Sequence, residues 1–100
     1  MFSHVMIGTN DIEESRAFYD KLFEALGSGP GKMYPNLTGQ KRYFYYFNGS
    51  SFVITQPIDG NAATVANGST IGFNLESIEQ GDAWHQAGID NGGTSIEEPP

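Results

Sequence analysis

Ser3-His4-Val5-Met6-Ile7-Gly8-Thr9-Asn10-Asp11-Ile12-Glu13-Glu14-Ser15-Arg16-Ala17-Phe18 is echoed by Ser69-Thr70-Ile71-Gly72-Phe73-Asn74-Leu75-Glu76-Ser77-Ile78-Glu79-Gln80-Gly81-Asp82-Ala83-Trp84, at a constant offset of 66 residues. Each copy is a short apolar run, then a polar capping residue, then an amphipathic stretch with an aromatic at the same place. A repeated strand–helix unit implies a paired architecture, and such pairs place a cleft between the copies.

Outward from the first copy, residues 2–9 read as a strand. Val5 and Ile7 fall on one face, His4, Met6 and Gly8 on the other. Asp11 is a good N-cap, and Glu14 three residues on completes a capping-box pattern. The helix is expected to run to about residue 26, with Ile12, Phe18, Leu22 and Leu26 as its apolar stripe and Tyr19 and Phe23 widening it. Gly27 suits the C′ position, and Ser28-Gly29-Pro30-Gly31 cannot continue a helix. Residues 32–35 read as a short edge strand, and residues 42–47 as a strong strand with five successive aromatics. Asn48-Gly49 is a hairpin signal, with residues 51–56 as the return strand before Pro57.

Residues 58–68 read as a linker. Residues 69–75 read as the strand of the second copy, followed by a helix capped by Ser77 with Gln80 completing its box. Gly81 and Gly88 weaken that helix, Ile78, Trp84 and Ala87 form its expected buried face, and Gly92-Gly93 ends it. A last strand is expected over residues 94–97. The chain thus divides into unit one (1–57), the linker (58–68) and a partial unit two (69–100), all in one domain. The second unit lacks the counterpart of the first hairpin. The expectation is either a truncated product or a missing sheet edge supplied by another chain, with a homodimer favoured.

The chain has 100 residues, a size for one domain with a modest core. Thirteen aromatic positions out of a hundred rule out a solvated tail, and the absence of cysteine excludes disulfides and thiolate metal sites. No apolar run reaches membrane length, and the opening residues do not resemble a secretory leader, so a cytoplasmic protein is expected. All five basic residues lie in the first 42 positions, and seven acids with no Lys or Arg follow from Tyr43. Nucleic acid is not an expected partner, because phosphate binding needs a basic face.

His4-Val5-Met6-Ile7, followed by the helix Asn10-Asp11-Ile12-Glu13-Glu14-Ser15-Arg16-Ala17-Phe18-Tyr19-Asp20-Lys21-Leu22-Phe23-Glu24-Ala25-Leu26-Gly27, resembles the vicinal oxygen chelate superfamily of glyoxalases, bleomycin-resistance proteins and extradiol dioxygenases. The resemblance implies an α+β fold of paired βαβββ units, a mixed curved sheet and helices on its outer face, here with the second unit incomplete. It also implies a divalent metal such as nickel, zinc, manganese or iron, held by His and Glu side chains and acting as a Lewis acid. His4 stands where one ligand is carried in such relatives. Thr70 stands at the equivalent place in the second unit and is no metal ligand of that kind. The fourth strand, Phe52-Val53-Ile54-Thr55, offers neither carboxylate nor imidazole. A stable site needs at least three protein ligands, and His4 is the single candidate.

Tyr43, Tyr45 and Phe47 share one face of the aromatic strand, Phe44 and Tyr46 the other, and Phe52 and Ile54 share a face of its partner. One of the two faces covers the core. The other, turned to the cleft, offers flat apolar walls with phenol hydroxyls, suited to an aromatic or amphipathic small molecule. The expected ligand-lining set is His4, Met6, Arg42, Tyr43, Tyr45, Phe47, Ile54 and Thr70, with Arg42 able to receive a carboxylate or phosphate. Three readings follow. The first is a cofactor-free small-molecule binder of the bleomycin-resistance kind. The second is a metal-dependent lyase or isomerase resembling lactoylglutathione lyase, its ligands completed elsewhere. The third is a folding or assembly unit without chemistry.

Overall fold

The computed structural model describes residues 1–96. The element order is β1 (His4–Gly8), α1 (Ile12–Glu24), β2 (Lys32–Met33), β3 (Arg42–Phe47), β4 (Ser50–Thr55) and α2 (Ile78–Asp90). The four strands form one mixed sheet in the order β1-β4-β3-β2. β1 runs parallel to β4, and the other two pairings are antiparallel. The fold is α+β.

The repeat is visible in the helices. Both have 13 residues and start and end 66 positions apart. Asp11 accepts from the Glu14 amide at 3.1 Å, and Ser77 accepts from the Gln80 amide at 3.0 Å. The second half of each expected capping box is absent. The Asp11 amide donates to Thr9 Oγ1 instead, and Gln80 Oε1 accepts from the Glu76 amide. At the far end of α1 the Gly27 amide donates to Glu24 and the Ser28 amide to Phe23, the paired bonds of a Schellman close. Gly27 takes the left-handed φ of 84° that this turn needs.

The hairpin forms where Asn48-Gly49 places it, with φ of 51° and 81° at the two turn residues. A two-residue turn fixes the register: Phe47 faces Ser50, Tyr45 faces Phe52 and Tyr43 faces Ile54. α1 packs on the face that carries these residues. The core is Ile12, Phe23 and Leu26 from the helix side against Tyr45, Phe52 and Ile54 from the sheet. Phe23 sits at its centre. Its ring stacks on Tyr45 at 4.7 Å, tilts against Phe52 at 5.5 Å and meets the edge of Phe73 at 5.4 Å.

Four expectations are corrected. Residues 69–75 do not form a strand. A strand requires a hydrogen-bonded neighbour, and no described strand lies beside this stretch; only Phe73 keeps its inward role, packed on Phe23, Phe52 and Trp84. α2 does not cover a sheet of its own; it lies against α1, with Leu22 Cδ1 close over Gly88. Ile78, expected in its buried face, is 80% exposed. Residues 94–96 are likewise not a strand, and position 97 of that expected element lies outside the described residues. Among the described residues no helix is long and apolar enough to cross a membrane.

Candidate functional site

The sheet has a second face that no helix covers. Alternation along each strand puts His4, Met6 and Gly8 of β1, Ser51, Val53 and Thr55 of β4, and Arg42, Phe44 and Tyr46 of β3 on it. The register arranges them in three rows. His4, Ser51 and Tyr46 make a polar row; Met6, Val53 and Phe44 an apolar middle row, extended by Lys32; and Gly8, Thr55 and Arg42 a second polar row. The outer rows are four residues apart along a strand, about 13 Å.

Aromatic rings pave the middle of this face. Phe44 and Tyr46 are near-parallel with centroids 6.2 Å apart, and Tyr34 meets Phe44 edge-on at 5.6 Å. Tyr46 is 55% and Met6 44% exposed. The Arg42 guanidinium lies over the Phe44 ring at 5.1 Å. Its Nε donates to the Tyr34 carbonyl at 3.0 Å and its Nη2 to the Pro35 carbonyl at 3.3 Å.

The expected ligand set divides between the two faces. His4, Met6 and Arg42 are brought together on the helix-free face. Tyr43, Tyr45 and Ile54 are not: they point at α1. Ile54 is fully buried in the core. The Tyr45 hydroxyl donates to Asp20 Oδ1 at 2.7 Å, and the Tyr43 hydroxyl donates to Glu13 Oε1 at 2.7 Å. Burial, and then the carboxylate of Asp20, push the Tyr45 phenol well above its ordinary range. The bond from Tyr43 holds the Glu13 carboxyl low, with Arg16 assisting. Phe47 is on the helix side too, but it lines a cavity of about 370 Å³ with His4, Tyr45, Phe52 and Phe73 where the 71–74 stretch passes the start of β1. Thr70 is exposed. The face residues that the expected set omitted are Phe44, Tyr46 and Tyr34. The hairpin register carried the signal, because the apolar pair Phe52 and Ile54 must face the core and the turn places Tyr45 and Tyr43 beside them.

The ligand set of the implied metal does not fit here. The row-mates of His4 are Ser51 and Tyr46, and its Nδ1 is hydrogen-bonded to Ser3 Oγ at 2.8 Å. Among the described residues no three His, Asp or Glu side chains gather to hold a cation. His85, half-buried on α2, is remote from this face.

The family model of the Glyoxalase/Bleomycin resistance protein/Dioxygenase superfamily matches residues 1–100. The chain is also similar to a crystal structure of a glyoxalase/bleomycin resistance protein from Albidiferax ferrireducens T118, at 56% identity and a TM-score of 0.87. That match covers 100% of this chain and 77% of the other. No curated protein matches the sequence.

Proposed function

The chain belongs to the Glyoxalase/Bleomycin resistance protein/Dioxygenase superfamily, and from that premise we propose that it binds a small organic molecule on the helix-free face of its sheet. The observation that carries this reading is the stacked ring pair of half-buried Phe44 and exposed Tyr46, on one face with exposed Met6 and the Arg42 guanidinium. Surfaces of this make-up hold flat apolar ligands, with a few polar groups at the ends to orient them. A second copy of the chain facing the sheet closes the cleft and covers its apolar area, so the working form is a homodimer. The compartment is the cytoplasm, in line with a chain that uses no cysteine.

Two measurements test this. Calorimetric titration with 2-naphthamide, a neutral bicyclic aromatic, is expected to show binding that Phe44→Ala weakens about tenfold, the scale of losing one stacking partner. Binding unaffected by Phe44→Ala would remove the site. Sedimentation is expected to show a dimer; a monomer at all concentrations would contradict the closed cleft.

The metal-dependent lyase reading rests on His4, whose imidazole is exposed at the start of β1. Metal analysis of the purified chain separates the two. Nickel, zinc, manganese or iron near one per chain, lost in His4→Ala, would replace the binding reading by the lyase one.

A further inference from the structure

We infer that the ligand of this face is a planar aromatic carboxylate, its acid group received by Arg42; the inference rests on the binding reading above and specifies its ligand. Of the five basic residues, Arg16 and Lys21 pair with acids on α1. Arg42 meets no carboxylate among the described residues, in a chain with a net charge of −7. Lys32 and Lys41 meet no acid among the described residues either, but both are exposed, whereas the Arg42 guanidinium is half-buried.

The way Arg42 is held leaves one side of it for a ligand. Its Nε and Nη2 each donate to a backbone carbonyl, of Tyr34 and Pro35. These two bonds fix the plane of the group. A guanidinium has five N–H donors. The remaining end-on pair, one on each Nη, has the spacing that accepts both oxygens of a carboxylate. The rings supply the rest of the recognition. Phe44 stands between the guanidinium and the ring of Tyr46, which stacks near-parallel to it on the side of the His4 row. An acid group at Arg42 therefore brings its attached ring against the outward edges of Phe44 and Tyr46, and the three rows accommodate about two fused rings over their 13 Å span.

The test compares 2-naphthoate with its neutral isostere 2-naphthamide by calorimetry on the unaltered chain, then on variants. Naphthoate is expected to bind at least about tenfold more tightly than the amide, the scale of a charge-assisted bidentate contact. Arg42→Gln is expected to abolish that preference, and Arg42→Lys to reduce it, because an ammonium lacks the fork. Lys41→Gln removes the same charge from a neighbour whose field acts on Glu13, and is expected to keep the preference. Equal affinity for the two probes on the unaltered chain, or a preference that survives Arg42→Gln, overturns the inference. If the amide binds through Phe44 and the acid gains nothing, the carboxylate inference falls and the binding reading stands. If neither probe binds, both fall.

Discussion

One oxygen of Asp20 ties the helix to the sheet: its Oδ1 receives the Tyr45 hydroxyl at 2.7 Å and the Gly31 amide at 2.9 Å. The other oxygen meets Arg16 Nη1 at 3.3 Å. Tyr45 is only 1% exposed, so its hydroxyl needs this acceptor, and Asp20 in turn secures the turn that leads into β2. Removing the hydroxyl by Tyr45→Phe leaves Asp20 with two of its three donors. The expected cost is about 2 kcal/mol, read from chemical denaturation midpoints. A change under about 0.5 kcal/mol would show that water replaces the bond.

Gly31 is required by space. A Cβ there would lie 2.7 Å from Tyr45 Cζ and 2.8 Å from its hydroxyl oxygen. Gly31→Ala should displace the Tyr45 ring and cost about 1–3 kcal/mol. The double variant with Tyr45→Phe should recover part of the loss, because part of the crowding is with the hydroxyl. Simple additivity would show that the strain lies in the backbone.

The Glu13–Tyr43 pair sets opposite limbs of the pH–stability profile. The folded Glu13 carboxyl is held below its ordinary value of 4.5 by the Tyr43 bond, so its contribution is present above that value and is lost as pH falls below it. Tyr43 and Tyr45 are both raised above 10.0, so theirs is present below pH 10.0 and is lost as pH rises beyond it. Thermal melts across pH should show a shallower acid limb in Glu13→Gln and a shallower alkaline limb in Tyr45→Phe. Unchanged limbs would mean that these bonds open in solution.

Phe23 touches the rings of Tyr45, Phe52 and Phe73 together. Phe23→Ala should cost about 3–5 kcal/mol. A helical residue facing solvent on α2, Ile78→Ala, should cost under about 0.5 kcal/mol. The same contrast is expected from calorimetric melting, and equal losses would place the core elsewhere.

How far the residues announced this fold depends on the signal in question. Asp11 and Ser77, Asn48-Gly49 and Gly27 are local signals, each acting through bonds to its own neighbours, and the structure forms all four. The stretch around Ile71 and Phe73 alternates as a strand should, yet a ladder depends on a neighbour that alternation does not encode. The site divides in the same way. Arg42 and Met6 follow from position on their strands, whereas placing Phe44 and Tyr46, rather than Tyr43 and Tyr45, on the helix-free face needed the hairpin register carried through to Phe52 and Ile54. The bonds from the two tyrosines to Glu13 and Asp20 join residues 30 and 25 positions apart, and no local pattern marks them.

Among the described residues, α2 packs on α1 and on no strand, and Trp84 joins it to the core beside Phe73. Its departure would break no bond of the β ladders. Backbone amides in residues 78–90 should therefore exchange with solvent deuterium well before those of β3 and β4, and a protease nicking the 57–68 connection should leave the first unit's circular dichroism largely intact. A family built by duplicating one motif thus contains, in this chain, a half that can let go of the other without taking it apart.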